Sequence, residues 1–422
     1  MGQVAAETRR PGSPLRDVVV VGASLAGLSA ARALRAQGYD GRLTLIGDET
    51  HRPYDRPPLS KDFLRLADGE VEALEADDED LGATWRLGAR ATALVVGAGG
   101  GLEVGLASGE VLGTDAVVLA VGAGARRDLP GVGLRGVHLL RTADDARALR
   151  ADLHDAVRSA EPVVVVGGGF IGSEVAATAR ELGCAVTLVV PDDVPLRMAL
   201  GPYADAVADL HAAHGVEVVA NARVREVCDA GGGRLEVVLA DGTRLPAATV
   251  VLGLGAAPAV DWLVGSGLDL GEHGAGAVRC DEHGATALAN VYALGDCAAW
   301  WSPGLGFHHQ IEHWTSARER GAVVAAHLLG AERIPVCRPP YVWSDLYGHK
   351  LQLAGYRDLA DHPDTPEHTL ELGSVAEGSF VAVFRRAGAP VAVLALDQAR
   401  HFAGVRRKLV VPVPAPAEGV SG

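Results

Sequence analysis

The chain has 422 residues, and 53 acidic against 38 basic side chains give it a formal net charge of −15 at pH 7. A chain of this length exceeds one ordinary hydrophobic core, so two or three domains are expected. The acidic balance argues against nucleic acid or an anionic membrane as a partner, and no apolar run reaches the roughly 18–20 residues of a membrane helix. Residues 1–16 lack a signal-peptide core, so a flexible tail and a cytoplasmic location are expected.

The five cysteines are widely scattered and form no Cys-x-x-Cys pair. Free buried thiols are therefore expected, and a thiol relay is disfavoured. His308, His309 and His313 lie close together in sequence, but a zinc site there is disfavoured. No metal site is predicted.

The first ordered unit covers residues 17–47 and predicts a strand, a glycine-rich turn, an alanine-rich helix and a second strand. Its turn, GASLAG at 22–27, has Ser24 in place of the second glycine of Gly-x-Gly-x-x-Gly. Asp48 and Glu49 follow the second strand, about 20 residues beyond the turn, where a carboxylate can bind ribose hydroxyls. This unit predicts nucleotide binding.

Residues 51–64, HRPYDRPPLSKDFL, are too rich in proline to begin as a regular strand or helix. They are either a solvated loop before a helix at Ser60 or a rigid segment that directs Arg56 and Lys61 at a ligand. Short strands separated by glycine turns follow up to residue 122, and Thr142 is predicted to cap a helix.

A second nucleotide-type unit begins at residues 162–174, PVVVVGGGFIGSE. The valine run predicts a buried parallel strand, and each glycine has a physical purpose. Gly167 permits the tight turn, Gly169 lets a pyrophosphate approach the backbone, and Gly172 allows close packing of helix on strand. The following strand ends at Val190 without an acid directly after it.

Further strands lead to Gly253-Leu254-Gly255 and then to NVYALGD at residues 290–296. There Asp296 precedes a run compatible with a helix, so it is either an ordinary N-cap or a carboxylate that binds a ribityl chain. Residues 335–340 predict a linker. Short alternating strands after it predict a small α+β domain, and the last residues predict a disordered tail.

Two such units 145 residues apart, with a Gly-Asp motif after the second, resemble the FAD-dependent NAD(P)H:ferredoxin reductases. That family, with putidaredoxin-reductase-like and biphenyl-dioxygenase-reductase-like members, serves bacterial haem monooxygenases and ring-hydroxylating dioxygenases. The motifs that carry the resemblance are GASLAG, GDETHRPYDRPPLSK, LLRTADDAR, GGGFIGSE, VPLRMALG, VYALGD, IEHW and VWSD.

The resemblance implies an α/β fold with two Rossmann-like dinucleotide-binding domains and a small C-terminal α+β interface domain. The FAD domain is split around the NAD(P)H domain. The implied boundaries are 1–16 and 413–422 for disordered tails, 17–125 and 253–333 for the FAD domain, 126–252 for the NAD(P)H domain and 334–412 for the C-terminal domain.

The resemblance also implies the site. It makes Lys61 and Glu174 a catalytic pair near flavin N5, where a buried carboxylate offsets the cost of burying a cation. It places the FAD pyrophosphate at the first turn, a ribose on Asp48 or Glu49 and the flavin beside Trp314. The residues implied in cofactor binding are Gly22, Ser24, Ala26, Gly27, Asp48, Glu49, Arg56, Lys61, Ala91, Arg141, Gly167, Gly169, Ile171, Gly172, Gly255, Asp296 and Trp314.

The implied activity moves a hydride from NADH to FAD, and the electrons then pass singly to a two-iron ferredoxin that feeds an oxygenase. NADH is favoured over NADPH, although Val190 stands where NADH-preferring relatives carry a glutamate. Arg197 is the nearby candidate for binding a 2′-phosphate, so NADPH stays possible.

Two other interpretations stay open. One is a redox-regulated FAD- and NAD-binding protein of the apoptosis-inducing-factor type, in which reduction controls association. The other is direct oxidation of a small organic substrate. The sequence leaves open a monomer or a dimer, the ferredoxin, the terminal oxygenase and the pathway substrate. Arg52, Arg56, Arg318, Arg320 and residues 406–408 are candidates for a local basic patch that docks an acidic ferredoxin.

Overall fold

The computed structural model describes residues 15–66, 70–75, 79–97, 100–271, 276–335, 337–357 and 366–411. Within these ranges, no helix is long and apolar enough to cross a membrane. The tails predicted at 1–16 and 413–422 lie outside the described residues, except for Leu15 and Arg16.

The helices and strands fall into four successive stretches of the chain. The first has β1 (Asp17–Val21), α1 (Leu25–Ala36), β2 (Arg42–Gly47), α2 (Asp62–Arg65), β3 (Ala83–Leu87), β4 (Ala91–Val96), β5 (Leu102–Leu106), β6 (Val111–Thr114), β7 (Ala116–Leu119) and β8 (Ala123–Ala125). The second has β9 (Val137–His138), α3 (Ala143–Ser159), β10 (Val163–Val166), α4 (Phe170–Leu182), β11 (Val186–Val189), α5 (Arg197–Leu200), α6 (Asp205–Ala213), β12 (Glu217–Val219), β13 (Val224–Gly231), β14 (Arg234–Leu239), β15 (Arg244–Ala247), β16 (Thr249–Leu252) and β17 (Ala256–Pro258). The third has β18 (Val278–Cys280), β19 (Val291–Ala293), β20 (Ala298–Ser302), β21 (Phe307–Gln310) and α7 (Trp314–Leu328). The fourth has β22 (Tyr341–Leu346), β23 (His349–Gly355), β24 (Glu367–Ser374), β25 (Ser379–Arg386), β26 (Ala389–Leu396) and α8 (Ala399–Arg406).

The first sheet is parallel, with strand order β19-β7-β1-β2-β3. Its central strand β1 is almost fully buried in a core that α1 and the antiparallel strands β4 and β5 share, and this explains the uninterrupted valines. Helix α7 packs against α1, and a Cβ on Gly321 would lie only 2.6 Å from the backbone of Ser29. Since β19 follows the whole second sheet in the chain, the chain leaves the first sheet and returns to it.

The second sheet is also parallel and has the order β12-β11-β10-β16-β9. The antiparallel strands β13, β14 and β15 form a separate small sheet. Between the two large sheets, β8 pairs antiparallel with β17, so the outgoing and returning segments run side by side. The prediction of two Rossmann-like units, one split around the other, is confirmed.

The fourth stretch forms a five-stranded antiparallel sheet of order β22-β23-β26-β25-β24, and α8 packs on it. Its core includes Phe380 and Phe384, which pack with Tyr203 of the second unit. The predicted α+β domain is confirmed, and it contacts the second unit through an apolar interface.

Two local predictions need correction. The run after Asp296 is not a helix: a short 3-10 helix, Gly295–Cys297, leads into β20. Strand pairing with β18 and β21 outweighs the helix preference of the alanines. Asp296 is also not an N-cap, because that position of the 3-10 helix is Leu294. By contrast, Thr142 caps α3 in a capping box, as predicted.

Candidate active site

A cavity of about 450 Å³ lies where the carboxyl ends of the first sheet, the start of α4 and strand β22 meet. Ligands of open α/β sheets bind outside the carboxyl ends of the strands. The polar and charged side chains that line the cavity are Ser24, Asp48, Glu49, Tyr54, Asp55, Arg56, Ser60, Lys61, Arg141, Thr142, Glu174, Asp296, Glu312, His313, Trp314, Tyr341 and Trp343.

The first glycine turn forms one wall of this cavity. Gly22 has φ +121°, and a Cβ there would lie 2.0 Å from the carbonyl oxygen of Ala120. A Cβ on Gly27 would lie 1.8 Å from the carbonyl oxygen of Gly22. Ser24 is the N-cap of α1 but makes no capping hydrogen bond with its side chain. The first-turn N–H groups of α1 are therefore available to an anion, as the positive end of the helix dipole favours.

The two acids after β2 have different partners. Arg90 Nη2 lies 2.7 Å from Asp48 Oδ2, and both side chains are exposed. Glu49 accepts hydrogen bonds from Arg56 and from the Tyr54 hydroxyl, so its two oxygens are both in use. Arg90 likewise bonds both oxygens of Asp48, but the Asp48 side chain is 58% exposed against 28% for Glu49, so Asp48 is the more accessible carboxylate for a further ligand.

A second ion pair crosses the cavity. Arg141 Nη2 lies 3.0 Å from Asp296 Oδ2, and the Arg141 carbonyl accepts a hydrogen bond from Arg56. Asp296 follows Gly295, which has φ +75°. The network joins residues distant in sequence and brings two guanidinium groups to the same wall.

Asp55 holds the indole of Trp314, which donates from Nε1 to Asp55 Oδ1 at 2.7 Å. Burial raises the pKa of the Asp55 carboxyl. The pKa of the Glu312 carboxyl is also raised, first by desolvation and then by the nearby Asp296 carboxylate. Both acids lie inside motifs noted in the sequence, PYDRPPLSK and IEHW, but neither was singled out.

Lys61 and Glu174 meet at the inner end of the cavity. Lys61 Nζ lies 2.8 Å from Glu174 Oε2 and 3.1 Å from the carbonyl oxygen of Pro57. Glu174 also accepts hydrogen bonds from Ser60 Oγ and, at 2.6 Å, from Ser344 Oγ. All four polar side chains are buried. The two serines lie inside the motifs PYDRPPLSK and VWSD, but the sequence did not show their contact with Glu174, because that partner is far away in the chain.

The second glycine turn lies beside the cavity. A Cβ on Gly172 would lie 1.9 Å from the carbonyl oxygen of Gly167, and one on Gly167 would lie 2.2 Å from that of Gly253. Gly169 has no atom within 4 Å of such a Cβ and is the uncapped N-cap of α4. Ile171 is 45% exposed and lines the cavity. The turn is therefore open at Gly169 and closed at the other two glycines.

At the end of β11, Val190 is buried, and its Cγ1 would lie 2.5 Å from a Cβ on Gly168. Arg197 pairs with Asp193 at 2.7 Å and with Asp205 at 2.9 Å. Its guanidinium is thus already neutralised by two carboxylates.

Ala91 and Gly255 do not line the cavity. Ala91 begins β4 directly after Arg90, the partner of Asp48. Gly255 has φ +88°, and its carbonyl accepts from Arg126 N at 3.0 Å.

The basic patch suggested by the sequence is not a single surface. Arg320 is only 5% exposed and lies over the Trp300 ring, with its guanidinium carbon 4.4 Å from the ring centroid. Arg52 pairs with Glu75, and Arg56 pairs with Glu49. The helical position of Arg320 on the inner face of α7 explains its burial. Arg318, Arg407 and Lys408 are exposed.

Comparison with known proteins agrees with this geometry. Residues 16–321 match the family described as pyridine nucleotide-disulphide oxidoreductase, and residues 341–418 match the reductase C-terminal family. The chain belongs to the pyridine nucleotide-disulphide oxidoreductase family, among its ferredoxin reductases.

Curated relatives in this family match the chain over nearly its whole length. The ferredoxin–NAD(+) reductase component of the biphenyl dioxygenase system of Paraburkholderia xenovorans (strain LB400) is 34% identical and covers 95% of both chains. The corresponding component of the anthranilate 1,2-dioxygenase system of Burkholderia cepacia is 38% identical, over 92% of this chain and 93% of the relative.

Solved structures give the same result. A ferredoxin reductase from Rhodopseudomonas palustris superposes with a TM-score of 0.83 at 33% identity, covering 94% of this chain and 96% of the other. The reductase in the covalent putidaredoxin reductase–putidaredoxin complex has a TM-score of 0.82 at 29% identity, with 93% and 92% coverage.

The family name includes disulphide chemistry, but the residues of this chain do not support it. Burial raises the pKa of Cys184 to about 11 and that of Cys297 to about 11. Within the part of the chain that the structure describes, all cysteines are free, and none lines the cavity. Exchange requires an accessible thiolate, so this family member lacks the groups for a thiol relay at its cavity.

Proposed function

We propose that this chain is an FAD-dependent NADH:ferredoxin oxidoreductase. The observation that carries the proposal is the buried Lys61–Glu174 ion pair at a cavity flanked by two glycine turns. Bound FAD supplies the redox chemistry, because it can take a hydride from a nicotinamide ring and give up electrons one at a time. The redox-regulated association protein is not favoured, since the relatives are electron-transfer components.

The residues of the first turn fit a dinucleotide. Gly22 and Gly27 permit the tight turn and the close packing at the start of α1, whose uncapped first-turn N–H groups can bind a pyrophosphate, and Arg56 and Arg141 add positive charge on the same wall. We assign the adenosine ribose to Asp48, because its side chain is exposed whereas Glu49 is half-buried between Arg56 and Tyr54. We assign the ribityl chain of FAD to Asp296 and the flavin ring system to the space beside Trp314. Ser24, Ala26 and Ala91 remain proposed FAD contacts, as the family resemblance implies.

The residues of the second turn fit the nicotinamide nucleotide. Its pyrophosphate would approach Gly169, whose surroundings are open, and its nicotinamide would lie near Ile171 and Gly255. Lys61 holds a positive charge at the cavity, where hydride transfer places negative charge on the accepting ring. Glu174 fixes that ammonium and offsets its burial.

We infer that NADH is preferred over NADPH. A 2′-phosphate needs an unpaired cation, and Arg197 is held by Asp193 and Asp205. Val190 offers no carboxylate to a ribose, so affinity for NADH rests on the pyrophosphate and nicotinamide contacts.

We propose a two-iron ferredoxin of an oxygenase system as the electron acceptor. An aromatic row of three partly exposed rings lines the cavity: Trp314 and Trp343 meet edge to face at 6.1 Å, and Trp343 stacks on Tyr341 at 5.7 Å. Arg318 lies over Trp314, and Arg406 lies over Tyr341 at 4.1 Å. This row with its two arginines, the aromatic–arginine face, is the surface that we assign to an acidic ferredoxin.

Anaerobic stopped-flow tests the flavin half of the proposal. FAD-loaded protein is mixed with NADH or NADPH, and flavin absorbance is followed. We expect rapid bleaching by NADH and at least tenfold slower bleaching by NADPH. No bleaching by either nucleotide would refute the proposed function.

Steady-state reduction of a panel of two-iron ferredoxins tests the acceptor. The Arg318→Glu variant is expected to raise the KM for the ferredoxin about tenfold at low salt, because it reverses one charge in the docking face. Arg158→Glu is the matched control, since Arg158 is exposed at the end of α3. If Arg318→Glu and Arg158→Glu had the same KM for the ferredoxin, the assignment of the aromatic–arginine face as the docking surface would be refuted.

We also propose a cytoplasmic location, where the proposed donor NADH is produced, and either a monomer or a dimer. Fractionation of the source cells and light scattering of the purified protein test these two points.

A further inference from the structure

Three parts of the chain converge on one carboxylate. Helix α4 supplies Glu174, the segment before α2 supplies Ser60 and Lys61, and strand β22 of the C-terminal domain supplies Ser344. Ser344 is 0% exposed and Glu174 is 4% exposed. The C-terminal domain thus reaches the inner end of the cavity with a hydroxyl group.

The two oxygens of Glu174 have different surroundings. Oε2 accepts from Lys61 Nζ at 2.8 Å and from Ser60 Oγ. Oε1 has one hydrogen-bond partner among the described residues, Ser344 Oγ at 2.6 Å. Without that hydroxyl, Oε1 would be a buried charged oxygen with no donor, which is among the more costly states of a polar atom.

Strand β22 is held rigidly in this position. Ser344 lies opposite Leu351 of β23 in the antiparallel ladder, and β22 packs against α4. Helix α4 is anchored on the other side, where Thr178 Oγ1 donates to the carbonyl oxygen of Ser60 at 2.9 Å. The Ser344 hydroxyl and the Glu174 carboxylate are therefore both held in place, so neither can turn to another partner.

We propose that Ser344 is a positioning residue for the Lys61–Glu174 pair. Its hydroxyl holds Oε1, so that the carboxylate keeps Oε2 toward Lys61 and the ammonium stays at the cavity. This inference rests on the proposed function, and it makes the C-terminal domain part of the site for flavin reduction as well as of the docking face.

The Ser344→Ala variant tests the proposal. When Oε1 loses its donor, the carboxylate turns both oxygens toward Lys61 and withdraws the ammonium from the cavity. Flavin reduction by NADH is expected to slow about tenfold, since one hydrogen bond to a charge corresponds to about that factor. The dissociation constant for NADH is expected to stay unchanged, and the midpoint potential of bound FAD to become more negative.

Ser173→Ala is the matched control. Ser173 precedes Glu174 on the same helix and is fully buried, but its hydroxyl has no hydrogen-bond partner within the described structure. This variant is expected to keep the wild-type rate and potential. A purely structural role for Ser344 would lower the melting temperature of Ser344→Ala and leave its reduction rate and FAD potential at the wild-type values.

A double-mutant cycle with Glu174→Gln adds a second readout. In the Glu174→Gln background, Ser344→Ala is expected to leave the FAD potential unchanged, because the charge that Ser344 holds is gone. Independent, additive shifts would overturn the proposal. If Ser344→Ala fails to fold, Ser344→Cys carries the test, since a thiol is a weaker donor.

The two levels of inference fail in different ways. If NADH reduces the wild type and Ser344→Ala equally fast and at equal potential, the Ser344 proposal is refuted and the proposed function stands. If NADH does not reduce the wild type, the proposed function itself is refuted.

Discussion

Lys61 is a buried ammonium held by one carboxylate and one backbone carbonyl. A buried charge whose partner is removed costs several kcal/mol, whereas a pair replaced together costs less. The pair is therefore retained for a reason other than stability alone, and we propose that the reason is the charge that it presents at the cavity.

The substitution Lys61→Met tests this at the level of one residue. It keeps the chain length but removes the charge, so we expect flavin reduction by NADH to fall about 100-fold, the usual size for one electrostatic group. The measurement is anaerobic stopped-flow. Lys350→Met, at an exposed lysine of β23, is the control. The double variant Lys61→Met/Glu174→Gln is expected to regain melting temperature but not rate, and a full return of the rate would contradict the assignment.

Asp193→Asn tests the nucleotide preference at the same scale. Asp193 is one of two carboxylates on Arg197, and the Arg197 guanidinium lowers the pKa of the Asp193 carboxyl. Removing that charge leaves Arg197 paired with Asp205 alone, so the pair no longer carries an excess negative charge that would repel a 2′-phosphate. We expect kcat/KM for NADPH to rise about tenfold and that for NADH to change little. A parallel change for both nucleotides would argue against Arg197 as the determinant.

At the scale of one element, the N-terminus of α4 separates packing from binding. A Cβ on Gly172 would lie 1.9 Å from the carbonyl oxygen of Gly167, whereas Gly169 has φ −74° and open space around it. Substitution by alanine is therefore expected to disturb packing at Gly172 and ligand binding at Gly169.

We expect Gly172→Ala to lower the melting temperature by several degrees, because the clash is with backbone that cannot move. We expect Gly169→Ala to keep the wild-type melting temperature and to weaken NADH binding about tenfold, because the added methyl group points where a pyrophosphate would lie. Thermal unfolding and NADH titration measure the two effects. If Gly169→Ala bound NADH with wild-type affinity, the assignment of the NADH pyrophosphate to Gly169 would be wrong.

At the scale of the whole molecule, the second unit and the C-terminal domain meet around His211 of α6. His211 is 0% exposed, and its Nδ1 lies 2.8 Å from the Tyr347 hydroxyl. Burial, assisted by the nearby His214, lowers the pKa of His211 to about 4. Burial likewise lowers the pKa values of His309 and His313 to about 4.

The lowered pKa values of these histidines predict that the protein becomes less stable in acid. Their folded pKa values lie below the unfolded value of about 6.5, so the unfolded chain binds more protons between roughly pH 6.5 and 4. Stability is therefore fully present above pH 6.5 and is lost as the pH falls, by up to about 3 kcal/mol for the fully buried His211 and by less for the partly buried His309 and His313. We expect the melting temperature to fall steeply across this window and less steeply in His211→Gln. Identical pH profiles for the two proteins would contradict this.

Much of the fold could be predicted because its signals are local. The valine run of β10, the glycines after it and the helix start at Thr142 each depend on neighbours in sequence. The run after Asp296 was misjudged because β20 forms by pairing with β18 and β21, which are separate in sequence. Local preference has little influence where tertiary pairing supplies the hydrogen bonds.

The site could be predicted only in part, for the same reason. Lys61 and Glu174 came from a family resemblance, and a spacing of more than a hundred residues would not by itself place them together. Ser344 and Asp55 lie inside the motifs VWSD and PYDRPPLSK, but no motif shows their hydrogen-bond partners or the neutralised state of Arg197, since each depends on a partner brought near by folding.

The sequence by itself determined the two glycine turns, because strand, turn and helix signals act over short distances, and its motifs carried the family resemblance that implied one unit split around the other. Only the tertiary structure decided which groups share the cavity, that Arg320 is buried rather than on a basic surface, and that the C-terminal domain contributes Ser344. Electrostatic and hydrogen-bond partners are set by proximity in space, and that proximity exists only once the three parts of the chain have packed together.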